Sequence, residues 1–160
     1  MSDSSSAPVQ KESASLARAR GKARRLAMQA IYQWQMTGDS ISDIKQQFVE
    51  SNGLESPDCK VDADYFTELV SGVAASTSTL DPLLEKHMSR LMESVDPVER
   101  AILRLAAYEF VNRHDVPYRV ILNEAVNIAK KFCASNSHGF VNAVLDKTAR
   151  DVRALETQAL

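Results

Sequence analysis

The stretch that most constrains the fold is residues 96–111, which read DPVERAILRLAAYEFV. Asp96 is a helix-capping residue type, Pro97 suits the first helical position, and Glu99 stands where a capping-box carboxylate reaches back along the chain. The few polar residues that follow in this stretch are Arg100, Arg104 and Glu109. A helix that is apolar around most of its circumference is surrounded by other helices. The pattern therefore predicts a buried central helix.

Six further segments show the three- and four-residue apolar spacing of amphipathic helices, and we find no alternating strand pattern. They begin near residues 16, 39, 62, 81, 118 and 137. The sequence thus predicts an all-α protein of about seven helices. We expect a single helical domain over 16–153, with a disordered Ser-rich tail at 1–15, a loop at 51–60 and a C-terminal tail at 154–160.

Composition narrows the function classes. The hydrophobic content of 44% and charged content of 25% are ordinary for a globular protein. No apolar run reaches the roughly 18 residues that span a bilayer, and the N-terminus lacks the apolar core of a secretory signal. With two cysteines and no metal-binding spacing, the chain is expected in the cytoplasm without a metal or cofactor. No catalytic motif is found, so we expect a non-enzymatic protein.

Charge is distributed unevenly along the chain. Residues 1–36 carry a net charge of +4, whereas the whole chain carries −2, so the remainder carries −6. The segment RARGKARR supplies most of this excess, and no Asp or Glu lies between Glu12 and Asp39 to compensate it. Such an arginine-rich helical arm is typical of RNA binding, although a solvated basic helix end without function is the alternative. The candidate phosphate-binding residues are Arg18, Arg20, Lys22, Arg24 and Arg25.

Several aromatic residues have two interpretations that the residues alone leave open. Phe140, His87 and Tyr118 are candidates for stacking on an RNA base, but Phe140 is also suited to the core. Tyr32 is either a tyrosine at the edge of the core or an anchor in a protein interface. We therefore expect the functional residues on the outer faces of the helices.

Taken together, several stretches resemble the NusB family of transcription antitermination factors. They are RRLAMQAIYQWQ (24–35), DYFTELVSGV (64–73), MSRLME (88–93), VERAILRLAAYEF (98–110), DVPYRVILNEAVNIAKKF (115–132) and SHGFVNAVLDK (137–147). The resemblance runs from about Leu16 to Arg153 and implies an all-α fold of two small packed bundles. It also implies binding to boxA-type RNA of ribosomal RNA leaders, together with the small-subunit ribosomal protein NusE, within an antitermination complex on RNA polymerase.

The resemblance also assigns roles to single residues. It places the arm cations on RNA phosphates and implies an RNA face that further includes Gln29, His87, Arg90 and Phe140. It places Tyr32 and Glu99 at the NusE contact, with Arg104 nearby. Two positions depart from the family pattern: His87, where a tyrosine can stand, and Asn136, where an acidic residue can stand. The alternative function is a helical protein-protein interaction module, a homodimer, without direct RNA binding.

Overall fold

The computed structural model describes the backbone of residues 3–158 and the side chains of residues 14–157. Within residues 3–158 the chain is all-helical, as the sequence predicts, and contains no strand. The helices are α1 (Asp3–Thr37), α2 (Ile41–Ser51), α3 (Ala63–Glu85), α4 (Pro97–Asn112), α5 (Tyr118–Phe132), α6 (Ser137–Val152) and α7 (Ala154–Gln158), with a 3₁₀ turn at Met92–Ser94. None of the helices in this part of the chain combines the length and apolar character needed to cross a membrane.

The predicted central helix is confirmed as α4. It packs against α1 and α3 and against α5 and α6, and its buried residues include Ala101, Ile102, Leu103, Leu105, Ala106, Ala107 and Phe110. The Asp96 carboxylate caps it by accepting hydrogen bonds from the backbone N–H groups of Val98 and Glu99. The Glu99 carboxylate accepts a hydrogen bond from Ser137 Oγ (3.2 Å) instead of closing a capping box. This contact joins the start of α4 to the start of α6.

The prediction that a new helix begins at Asp81 is wrong, because α3 continues through Asp81 and Pro82 to Glu85. Leu80 and Leu84 are both buried, so the helix must keep its phase across the proline to hold them in the core. Asp81 also cannot act as a cap, since its carboxylate is bound by the Arg104 guanidinium at 2.8 and 2.9 Å.

The two ends of the domain also differ from the sequence expectation. Helix α1 begins at Asp3, whereas a disordered tail was expected over 1–15; extending an existing helix is much easier than nucleating one. At the other end α7 occupies part of the expected tail. Here the buried Arg153 guanidinium donates hydrogen bonds to the backbone carbonyls of Phe110, Val116 and Arg113, all within 2.9 Å. These bonds satisfy backbone acceptors where α4 ends.

Candidate nucleic-acid and partner interface

The helical repeat of α1 divides the basic arm into an inward and an outward face. Arg20 and Arg24 lie one turn apart, and Arg24 is only 3% exposed. Its guanidinium binds the Glu109 carboxylate of α4 in a bidentate manner, with Nε–Oε1 and Nη2–Oε2 distances of 2.9 Å. Glu109 is 1% exposed, so this is an ion pair removed from water.

A phenol and two further guanidinium groups surround this buried ion pair. The Tyr65 hydroxyl donates a hydrogen bond to Glu109, and the guanidinium groups of Arg20 and Arg113 lie 4.7 and 4.8 Å from the centre of the Tyr65 ring. Burial, followed by the charge of the Glu109 carboxylate, raises the pKa of the Tyr65 phenol. Burial alone would lower the pKa of Arg24, but the hydrogen bond and charge of Glu109 outweigh it and raise this pKa. The Tyr65 phenol therefore stays neutral and the Arg24 guanidinium stays charged at neutral pH.

The expectation that the arm has no counter-charge is wrong for two of its residues. Arg24 pairs with Glu109, and Arg20 lies 3.7 Å from the carboxylate oxygens of both Asp62 and Asp115. These acids are far away in sequence and come near only through folding. Because its guanidinium is 3% exposed and bound to the Glu109 carboxylate, Arg24 is not available for the predicted phosphate contact. Arg20 keeps some exposure, and its RNA contact stays a prediction.

The outward face of α1 does carry uncompensated charge. Arg18 is exposed, Lys22 and Arg25 are half-buried, and no carboxylate among the described side chains lies within 4 Å of their charged groups. The same face continues through Gln29, whose side-chain amide donates to the Arg25 carbonyl at 3.2 Å, to Tyr32. One face of α1 therefore carries three cations, then the Gln29 amide and then the Tyr32 ring, in this order along the helix.

Tyr32 stands at an open apolar groove of about 440 Å³ between α1, α2, α4 and α5. Its side chain is 37% exposed, and the groove is also lined by Met36, Phe48, Val98 and Phe132. Exposed apolar side chains grouped in this way are typical of a protein-binding surface. The structure favours the interface interpretation of Tyr32 over the core interpretation.

Arg90 and Phe140 form a second patch, in which the Arg90 guanidinium lies 4.8 Å from the centre of the Phe140 ring and this ring is half-buried against the core. His87 lies apart from it, because its Nε2 contacts the Asp151 carboxylate near the other end of α6. Phe140 belongs to the first turn of α6, which is tied to α4 near Glu99. The arm instead pairs near the other end of α4, ten residues and about 15 Å along the helix. A single contact surface was expected; the structure shows two patches.

A sequence model of the NusB family matches residues 21–150 of this chain. The chain belongs to the NusB family. Among its relatives, the transcription antitermination protein NusB of Teredinibacter turnerae is 53% identical over 141 residues, which cover 88% of this chain and 93% of the relative. The NusB protein of Saccharophagus degradans is 50% identical over 145 residues, which cover 90% and 94% of the two chains.

Solved structures agree with this family membership. The chain is similar to one in a crystal structure of antitermination factors NusB and NusE in complex with dsRNA, with a TM-score of 0.75 and 25% identity. That match covers 84% of this chain and 98% of the other. It is also similar to T. maritima NusB, with a TM-score of 0.72 and 27% identity over 82% of this chain and 91% of the other.

Within this NusB fold the three partner candidates do not share one site. Tyr32 lines the apolar groove together with Val98, whereas the carboxylate of the next residue, Glu99, is bound to Ser137 at the start of α6. Arg104 lines a different pocket, of about 420 Å³, together with Glu85 and Leu91. Its guanidinium is occupied by Asp81 and by the side-chain oxygen of Gln35 at 3.0 Å. We therefore leave Arg104 out of the partner surface.

Sequence reasoning missed the residues that hold the arm in place. Glu109 was noted only as part of the polar strip of the central helix, and Asp62 and Asp115 were not connected with the arm. The one available signal was a charged residue, Glu109, among apolar neighbours at 106, 107 and 110. A charge in such surroundings is buried only when it is paired, which calls for a cation elsewhere in the chain.

Proposed function

We propose that this chain is a transcription antitermination factor that binds boxA-type RNA of ribosomal RNA leaders together with the ribosomal protein NusE. In this role it is a non-enzymatic adaptor within an antitermination complex on RNA polymerase. The observation that carries the proposal is the outward face of α1, where unpaired cations run directly into an apolar groove. Membership of the NusB family, and its likeness to a NusB chain solved with NusE and dsRNA, support the same assignment.

The RNA-binding part of the proposal rests on the unpaired cations. Arg18, Lys22 and Arg25 lie on one face of α1 within two helical turns, and each repels the others in the absence of a counter-ion. RNA phosphates would supply that counter-charge and release condensed cations from the nucleic acid. The Phe140 ring, with the Arg90 guanidinium on it, adds a planar surface on which an unpaired base can stack.

The partner-binding part rests on the groove. Tyr32, Met36 and Phe132 are all more than a third exposed and line the same apolar depression, which a protein side chain can fill. Because this groove continues from the cationic face of α1, NusE bound there would be next to the RNA. RNA that touches both proteins at once is held more tightly than RNA that touches either one alone.

The RNA contact is tested by titrating labelled boxA RNA at several salt concentrations. Replacing Arg18 and Arg25 with Gln should reduce the slope of log affinity against log salt by about 1.4 units, if each cation meets one phosphate of single-stranded RNA. The matched control is Lys60→Gln with Arg150→Gln, two exposed cations away from both patches. An unchanged slope in the Arg18 and Arg25 variant would contradict the proposed role of the arm.

The NusE contact is tested by calorimetry on the purified proteins. Tyr32→Asp should abolish NusE binding with little change in melting temperature, because the side chain lies at the surface of the groove. Leu91→Asp places the same charge at an exposed leucine outside the groove and should leave NusE binding unchanged. Retained NusE binding by the Tyr32 variant, or loss caused by unfolding, would refute the assignment of the groove.

The same groove also favours a second candidate function, a homodimer that buries it. Light scattering on the purified chain, with and without NusE, separates the two. A monomer that forms a one-to-one complex with NusE supports the adaptor, whereas a dimer that NusE cannot dissociate supports the interaction module. The RNA titration then shows whether such a dimer has any nucleic-acid function.

A further inference from the structure

Helix α5 and the loop that follows it connect the cationic face of α1 to the patch around Phe140. Helix α5 lies beside α1: a Cβ atom at Gly21 would lie 3.5 Å from the Glu124 carboxylate, and Phe132 shares the groove with Gln29. After Phe132 a short loop, residues 133–136, leads into the first turn of α6, which carries Phe140. A strand of RNA that reached both patches would have to cross this region.

Acidic residues are absent from this part of the sequence. The two longest stretches without Asp or Glu are residues 13–38, which contain the arm, and residues 125–145, which run from the middle of α5 into α6. The chain has 21 acidic residues among 160, so stretches of 26 and 21 residues without one are unusual. Because α1 and α5 are adjacent, the two stretches lie side by side, and the carboxylates beside them come from outside: Glu124 at Gly21 and Glu99 at Ser137.

The exposed residues of α5 add positive charge to this region. They are Arg119, Val120, Asn123, Asn127, Lys130, Lys131 and Phe132. Glu124, the one carboxylate of α5, is half-buried beside Gly21. Neither Lys130 nor Lys131 has a carboxylate within 4 Å among the side chains of residues 14–157. The Lys131 ammonium lies 5.9 Å from the centre of the Phe132 ring, at the side of the groove.

We propose that Lys130 and Lys131 bind RNA phosphates and guide the strand from the cationic face of α1 to the patch around Phe140. Asn127, exposed one turn earlier, offers an amide to the same strand. The inference rests on the proposed RNA-binding function and adds a contact surface to it. Lysines in the last turn of a helix also interact favourably with the helix dipole, so the test must separate that local effect from RNA binding.

The test compares the salt dependence of boxA RNA binding, in the absence of NusE, by five proteins: the wild type, the Arg18 and Arg25 Gln variant, and the three variants that follow. NusE binding by each protein is measured separately by calorimetry. The double variant Lys130→Gln, Lys131→Gln should lower the slope of log affinity against log salt by about 1.4 units. Between 50 and 200 mM salt its affinity should then fall by a factor about seven times smaller than that of the wild type. Lys130→Arg with Lys131→Arg keeps the charge and should keep the slope. The pair Lys60→Gln and Arg150→Gln removes two exposed charges elsewhere and should change nothing.

Three other outcomes would overturn the inference. An unchanged slope in the Lys130 and Lys131 Gln variant, while the Arg18 and Arg25 variant loses slope, would refute the α5 contact and leave the proposed function intact. Failure of the wild-type chain to bind RNA, with or without NusE, would refute the proposed function itself. If the Gln variant loses only NusE binding, Lys130 and Lys131 belong to the protein interface and the RNA path is wrong.

Discussion

Replacing Arg24 with Ala should lower the free energy of unfolding by about 3–5 kcal/mol, because it leaves a buried carboxylate without a partner. The guanidinium and the Glu109 carboxylate are 3% and 1% exposed and share three hydrogen bonds of 2.9 to 3.1 Å. An exposed cation at the same position would contribute only about 0.5 kcal/mol or less. The size of the effect therefore distinguishes a core residue from a member of the RNA surface.

A double-mutant cycle separates the interaction energy of the Arg24–Glu109 pair from the cost of burying either charge. Arg24→Met with Glu109→Leu removes both charges and should recover most of the lost stability, because apolar residues of similar volume often replace a buried ion pair without loss. The Tyr65 hydroxyl would then lose its acceptor, which costs about 1–3 kcal/mol for a buried group. The cycle is therefore measured with Tyr65→Phe in all four proteins.

The assay is urea unfolding followed by far-UV circular dichroism, together with thermal melting. For a domain of this size the loss in Arg24→Ala corresponds to a fall in melting temperature of roughly 6–20 °C. Arg25→Ala, its exposed-face neighbour, is the control and should stay within about 0.5 kcal/mol of wild type. A loss below about 1 kcal/mol in Arg24→Ala, the range of exposed ion pairs, would refute the reasoning.

Three further predictions concern stability. Gly21→Ala should raise the free energy of unfolding by up to about 1 kcal/mol, and with it the melting temperature, because alanine has the higher helix propensity. The new methyl group causes no clash, since it would lie 3.5 Å from the Glu124 carboxylate; a lower melting temperature would contradict this prediction. Arg153→Lys should cost about 2 kcal/mol or more in urea unfolding, because an ammonium cannot reproduce the planar fork that binds several carbonyls. The hydrogen bond from the Arg113 guanidinium lowers the pKa of Asp115, so the ionised Asp115 carboxylate stabilises the fold at neutral pH, and this stabilisation is lost as the pH falls below about 4. In Asp115→Asn the free energy of unfolding should therefore fall less on acidification than in the wild type.

The Asp-Pro pairs show what local sequence could and could not predict. Asp96-Pro97 and Asp81-Pro82 carry the same start signal, yet only Asp96 caps a helix. The difference comes from residues distant in sequence, since Arg104 takes the Asp81 carboxylate and the core holds Leu80 and Leu84 in one helical phase. Helix type and the buried central helix followed from local periodicity, whereas the continuity of α3 depended on tertiary contacts.

The same limit applies to the candidate site. The sequence identified the arm as basic, but it could not divide the arm into faces, because the partner of Arg24 lies 85 positions away. The sequence leaves both a core and an interface position open for Tyr32, and in the structure this residue lines an open groove. Lys130 and Lys131 drew no attention because two lysines at a helix end are common. Their significance comes from the position of α5 beside α1.

The division of the arm sets a limit on the electrostatic part of RNA binding. Five arm cations that each met a phosphate would give a salt slope of roughly 3.5 units on single-stranded RNA, but the outward cations Arg18, Lys22 and Arg25 alone give only roughly 2 units. Lys130 and Lys131 would bring the slope back to roughly 3.5 without any contribution from Arg20 or Arg24. The wild-type slope alone therefore cannot separate the two arrangements, whereas the Lys130 and Lys131 Gln variant can: it falls to roughly 2 units only if α5 carries phosphate contacts.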